Sequence, residues 1–274
     1  LDKILAKGNL PDFLLRIGIR RLVKKRAKKQ NELSIEARYD YLNNFIKELK
    51  KQPIAVQTDA ANEQHYELPP EFFEKILGRN LKYSCCYWSD DLSYQKLKKQ
   101  NNLEQRLDQA EDEMLKLSAE RAEIENGQNI LELGCGWGSF SFYLARKFPD
   151  SRIISMSNSK DQINYINKLA AANKVDNLRA VKADINNFKT EAKFDRIVSV
   201  EMFEHMRNYQ KLMQKISSFL LADGKLFVHI FSHKFYPFIY QDQKKSDWMS
   251  RYFFSGGTMP SQDLLHYFSN DFSL

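Results

Sequence analysis

The sequence predicts an α/β protein built on a doubly wound, mostly parallel sheet. Two observations carry that expectation. From Asn129 onward, apolar runs of strand length alternate with segments of helical period, the βαβ pattern of parallel sheets. The first run leads into "ILELGCGWGSF" (130–140), a glycine turn between a strand and a helix. At 274 residues, 43% hydrophobic and 28% charged, the chain has the length and composition to bury a large core. It contains no run of about 18 uncharged apolar residues, so no membrane-spanning helix is expected.

The elements follow in order. Residues 1–50 carry 13 Lys/Arg against 6 Asp/Glu, while the remainder carries 29 of each. The excess lies in "RIGIRRLVKKRAKK" (16–29), read as a basic helix. Such a helix is either a solvated face or a peripheral contact with anionic membrane. No nucleic-acid motif or aromatic interleaving accompanies it, so no nucleic acid partner is expected. Ile35, Tyr39, Leu42, Ile46 and Leu49 recur at helical spacing behind Ser34, a fitting N-cap. Leu103, Leu107, Ala110, Met114, Leu117 and Ile124 mark a longer helix, ended by Asn126-Gly127. Between them, "HYELPPEFF" (65–73) and "KYSCCYWSDD" (82–91) are expected as loops or a lid. Strands are expected at 129–133, 152–156, 178–183, 194–200 and 225–231. Helices are expected at 137–147, 160–173 and 209–221, with a short one at 261–268.

Residues 1–125 are thus expected as a basic, helical cap or lid region, and 126–274 as the ligand-binding domain. A doubly wound sheet normally adds further strands, so an incomplete C-terminus with an open sheet edge is expected. Cys85, Cys86 and Cys135 make no disulfide framework, which points to a reducing, cytoplasmic setting.

In the glycine turn, Gly134 allows the tight bend and Gly136 lets a ligand approach the backbone. Gly138 lets the helix start close to the strand. A dinucleotide site would show G-x-G-x-x-G and an acid about 20 residues on. Here the spacing is G-x-G-x-G, and "SMSNSKDQ" after the second strand holds no carboxylate before Asp161. Nicotinamide is disfavoured on both counts.

Glu132 in the strand before the turn, "KADI" after the third strand and "SVEMFEH" after the fourth resemble class I S-adenosylmethionine-dependent methyltransferases. More narrowly, "HYELPPEFF", "YSCCYW", "LELGCGWGS", "MSNSKDQ", "DRIVSVEMFEHM" and "YFFSGGTMP" resemble one family. It comprises the cyclopropane fatty acid synthases and the coclaurine-type N-methyltransferases, and the likeness runs from about His65 to the end. The resemblance implies a Rossmann-like methyltransferase sheet with S-adenosylmethionine as cofactor. It assigns Tyr83 and Ser84 to the methionine end, and sets Gly134 and Gly136 against the amino-acid portion. Ser157, Asn158 and Gln162 take the place of the usual ribose-binding acid, and Asp184 with Ile185 borders the adenine. The chemistry agrees: a carboxylate accepts from the exocyclic amine of adenine, and hydroxyl and amide groups bond ribose without adding charge. Ser159 is a candidate helix cap. His65 and Tyr66 are expected to close over the cofactor.

"VEMFEHM" follows a buried strand, so Glu201, Glu204 and His205 are expected at the carboxyl edge of the sheet. A neutral imidazole takes a proton near pH 7, and an adjacent carboxylate fixes its tautomer. Glu204 and His205 are therefore expected as the acid–base pair, with Glu201 near a substrate ammonium. The resemblance bears on the acceptor. Cyclopropane synthases typically have glycine at the position of Glu201 and act on an uncharged olefin in a lipid chain. The coclaurine-type enzymes have glutamate there, followed by the same "MFEH". Cys85, Glu204 and His229 match the synthases' bicarbonate-holding residues, but the amine methyltransferases look alike at these positions. The expected activity is methyl transfer from S-adenosylmethionine to a small amine, with no metal. The alternative is modification of phospholipid acyl chains. His233 in "FSHK" can face the acceptor, and Phe235, Tyr236, Phe238, Tyr240 and His266 read as core or acceptor wall.

Overall fold

The computed structural model describes residues 8, 10–31, 33–56, 68–89, 103–241 and 248–273. His65 and Tyr66 lie outside the described residues. The chain divides into two compact units, one ending at Lys47 and the other starting at Glu48.

The first unit holds α1 (Asp12–Asn31) and most of α2 (Ile35–Lys50). Ser34 caps α2 as expected, its Oγ accepting the Ala37 N–H at 3.2 Å. Along α1, Phe13, Ile17, Ile19 and Leu22 are all exposed, and they are spread round the helix rather than set in one stripe. Among the described residues no helix is long and apolar enough to cross a membrane.

The second unit opens with α3 (Pro70–Ile76) and α4 (Leu103–Arg121). A five-stranded sheet follows, made of β1 (Asn129–Leu133), β2 (Arg152–Ser157), β3 (Leu178–Lys182), β4 (Phe194–Val200) and β5 (Leu220–His229). Every pairing is parallel, in the order β3-β2-β1-β4-β5. The order steps outward from β1 in both directions. Right-handed crossovers then place α5 (Ser139–Lys147) and α6 (Lys160–Ala172) on one face and α7 (Tyr209–Ser217) on the other. This is the doubly wound architecture expected. Ile130, Leu131 and Leu133 of the central strand are wholly buried, as a strand covered on both faces requires. Ile130, Ile153 and Val198 of the sheet form one core with Leu144 of α5, Ile166 of α6 and Leu115 of α4.

Most other ends shift by one or two residues, and the short helix expected at 261–268 is a 3-10 turn over Leu264–Phe268; three larger differences have a local reason. Within "HYELPPEFF", residues 70–73 are helical rather than loop, because Pro70 takes the first turn of α3, where a missing N–H costs nothing. Phe73 of that helix is buried against Trp137, with ring centroids 4.8 Å apart. Helix α4 ends at Arg121, before Asn126-Gly127, because Glu123 turns the chain at φ +51°. Finally, α7 stops at Ser217 and β5 already begins at Leu220. The early start is absorbed by a shift in register between Phe194↔Leu220 and Arg196↔Lys225.

Candidate active site

Strand order reverses between β1 and β4, and in open α/β sheets that reversal opens a crevice at the carboxyl ends. Leu133 lies opposite Ser199, so Gly134 and Glu201 leave neighbouring strands side by side. Two adjoining clefts open here. The first is lined by Ser157, Asn158, Gln162, Asp184 and Ile185, with Met156, Met202 and Met206. The second is lined by Lys82, Tyr83, Ser84, Glu132 and Trp137, with Phe231, Phe253 and Phe254 as an aromatic wall. Gly134, Gly136, Glu201 and His205 line both. Tyr83, Ser84, Gly134, Gly136, Ser157, Asn158, Gln162, Asp184 and Ile185 therefore all line one or other of two adjoining clefts. Glu204 is not among the lining residues.

Backbone geometry shapes the floor. The N–H groups of Gly134 and Cys135 both donate to the carbonyl of Met156, at 2.9 and 3.0 Å, tying the loop to the end of β2. Gly136 has φ +53°, and a Cβ built there meets nothing within 4 Å, so its backbone faces open space. At Gly138, φ +87°, a Cβ would stand 2.8 Å from Ile166, so this glycine lets α5 start close against α6. Ser159 is the N-cap of α6, its Oγ accepting the Gln162 N–H at 3.4 Å. Ser157 Oγ donates to Gln162 Oε1 at 2.7 Å and accepts from the Ser159 N–H at 3.1 Å. Gln162 is 1% exposed, and its Nε2 finds no partner among the described residues. Asp184 Oδ1 accepts from the backbone and side-chain N–H groups of Asn186 at 2.7 and 3.0 Å.

The "EMFEH" segment is set by an uncommon backbone. Glu201 has φ +51°, a left-handed conformation that costs a non-glycine residue about 1 kcal/mol or more. Its N–H donates to His229 O at 2.8 Å, and its Oε1 accepts the Cys85 N–H at 2.9 Å. A 3-10 turn (Phe203–His205) follows. Tyr209 Oη donates to Phe203 O at 2.9 Å and Thr258 Oγ1 to Met206 O at 2.9 Å, which hold the turn in place. The His205 ring stacks on Phe254, with centroids 5.4 Å apart. Glu204 is wholly buried; Oε1 accepts the Phe231 N–H at 2.9 Å, and Oε2 has no partner among the described residues. Burial pushes its carboxyl up to about 8. Cys85 Sγ lies 3.6 Å from His229 Nε2, beside Glu201. Burial first, and then the charge of Glu201, raises the Cys85 thiol to about 11, while burial lowers the His229 imidazole. Both are neutral near pH 7. Cys85, Cys86 and Cys135 are free cysteines.

Residues 55–274 match the family described as mycolic acid cyclopropane synthetase. The chain belongs to that family. It is 35% identical to an (S)-coclaurine N-methyltransferase of Thalictrum flavum subsp. glaucum, over 100% of this chain and 73% of the relative. An Escherichia coli (strain K12) cyclopropane-fatty-acyl-phospholipid synthase is 29% identical, over 72% of this chain and 46% of the relative. The crystal structure of a coclaurine N-methyltransferase bound to N-methylheliamine and SAH superposes with a TM-score of 0.87 at 32% identity, covering 96% of this chain and 73% of that one. The protein is an S-adenosylmethionine-dependent methyltransferase of the plant N-methyltransferase branch of the family. Its clefts fit that cofactor. The orphaned Gln162 Nε2 is a buried donor without an acceptor, and Gly136 leaves room for a ligand against the backbone.

Two site features carry no marked signal in the sequence. They are Lys82 and the Phe253-Phe254 wall, which lie within "KYSCCYWSDD" and "YFFSGGTMP". His233 does not line either cleft. Its Nδ1 accepts from the N–H groups of Phe235 and Tyr236, at 3.1 and 2.9 Å, and so fixes a turn.

The methyltransferase core also carries a pH signature. Glu132 is almost fully buried on β1 and accepts from the hydroxyls of Ser141 and Ser155, yet burial still holds its carboxyl at about 7. Glu132 and Glu204 both titrate above the ordinary value of 4.5, so between the two values the folded state holds more protons than the unfolded state. Their contribution to stability is full below about pH 4.5 and is lost as pH rises through about 7 to 8. The melting temperature is expected to fall across that range, and Glu204→Gln to flatten the upper part. An unchanged slope in the variant would remove Glu204 as its source.

Proposed function

We propose that the chain transfers a methyl group to the nitrogen of a small amine, with adenosine in the first cleft and the methionine arm in the second. The observation that carries this reading is the placement of Glu201 and His205 where the two clefts join. S-Adenosylmethionine supplies an activated methyl on a sulfonium. Tyr83, Ser84, Gly134 and Gly136 border its methionine arm. Ser157, Asn158 and Gln162 serve the ribose, and Asp184 with Ile185 the adenine. Glu201 attracts and orients the substrate ammonium, its own carboxylate held by the Cys85 N–H. His205 accepts the proton that the amine must shed before its lone pair can attack. Glu204, protonated near neutrality and buried behind the cleft, supports the turn that presents His205. The relatives named as N-methyltransferases support the same class of acceptor.

Offering isotope-labelled S-adenosylmethionine with a panel of amines and, separately, with unsaturated phospholipid tests the proposal. Label is expected in one or more amines. Label in the acyl chain and in no amine overturns it. The lipid alternative makes a second demand, through the basic residues of α1. Vesicle cosedimentation would require anionic headgroups and fall steeply with salt.

Glu201→Gly separates the role of the carboxylate from that of the fold. The variant is expected to raise KM for the amine about 10–100-fold, since a charge-assisted contact is lost. Folding stability should change by less than about 1 kcal/mol, because relief of the left-handed strain offsets the lost Cys85 hydrogen bond. An unchanged KM would separate Glu201 from the acceptor.

A further inference from the structure

Lys82 is 3% exposed and is among the residues that line the second cleft. Its Nζ donates to Ser84 Oγ and to the carbonyl of Cys85, the latter at 2.8 Å. Both acceptors are neutral. No described carboxylate lies within 4.0 Å of the ammonium. Glu201, the strongest negative influence on it, has an oxygen committed to the Cys85 N–H, and Glu132 is occupied by two serine hydroxyls. An ammonium has three N–H bonds, and two are used here. Removing a cation from water without an adjacent counter-charge is costly, so a buried lysine of this kind calls for an anion. Burial lowers its proton affinity accordingly, and an arriving carboxylate would restore it.

The cleft that Lys82 lines is the one assigned above to the methionine arm, which carries an α-carboxylate. We infer that Lys82 is the group that binds this carboxylate, with Ser84 as its neutral co-donor, and that it selects the amino-acid form of the cofactor. The inference rests on the placement of the methionine arm in the second cleft. Lys82 also braces the 82–86 segment through the Cys85 carbonyl, whose own N–H positions Glu201. Cofactor recognition and amine recognition thus share one backbone unit.

The test compares S-adenosylhomocysteine with its decarboxylated analogue by calorimetric titration of the full chain. The wild-type protein is expected to bind S-adenosylhomocysteine about 10–100-fold more tightly, the range for a hydrogen bond to a charged group. Lys82→Gln keeps a donor for Ser84 and for the Cys85 carbonyl but removes the charge. It is expected to lose most of that preference while its affinity for the analogue changes less than about threefold. Equal losses for both ligands in Lys82→Gln would mark Lys82 as a scaffold residue and overturn the proposal. So would a wild-type preference under about threefold, a measurement that needs no variant to fold. Wild-type protein that binds neither ligand would instead overturn the cofactor placement on which the inference rests.

Discussion

Replacing His205 by alanine is expected to lower turnover about 10²–10⁴-fold, the usual contribution of a general base. Affinity for S-adenosylhomocysteine should stay within about threefold, because no cofactor contact is assigned to the imidazole. The ring stands at the junction of the two clefts, stacked on Phe254 and carried by a turn braced through Tyr209 and Thr258. That bracing lies outside the imidazole, so the variant is expected to fold and the loss to appear in kcat. Single-turnover measurements with the best amine, alongside calorimetry, separate the two quantities. Turnover within about fivefold of wild type would remove His205 from proton transfer. Parallel loss of cofactor affinity would reassign it to binding.

Gly136→Val is expected to abolish cofactor binding, by about 100-fold or more, with a much smaller effect on folding. The backbone at φ +53° is unfavourable for a β-branched residue, at about 1–2 kcal/mol. A Cβ there meets no protein atom within 4 Å, so little of the effect comes from crowding in the empty chain. The valine side chain instead fills space that both clefts share. Calorimetric titration with S-adenosylhomocysteine reads the loss, and thermal melting reads the fold. Equal affinity in variant and wild type would move the cofactor off this loop.

The parts of the molecule legible in the sequence are those governed by short-range pattern. β1 and β4 were bounded correctly because each is an apolar run delimited by polar residues and turn chemistry. Ser34 and Ser159 cap helices as their positions suggested. Helix α3 was hidden because two consecutive prolines read as a break, and only the burial of Phe73 against Trp137 shows why a helix forms there. The division of labour within "EMFEH" was not legible either. Glu201 and His205 face the clefts while Glu204 turns into the interior toward the Phe231 N–H. That difference depends on one residue's backbone angle and on a partner from beyond β5. Lys82 lies within "KYSCCYWSDD", but nothing in that motif marks it as buried. Its significance comes from the carboxylates it does not meet.

The left-handed backbone at Glu201 bears on how acceptor chemistry can change over evolutionary time. A glycine, the residue that the resemblance gives for the cyclopropane synthases, is the amino acid that such a backbone accepts most readily. Glutamate and glycine codons can differ by a single base. Exchange at this position therefore needs one mutation, and folding opposes neither direction strongly. On the role proposed for Glu201, that one change would take a carboxylate away from the acceptor while leaving a backbone that glycine readily adopts.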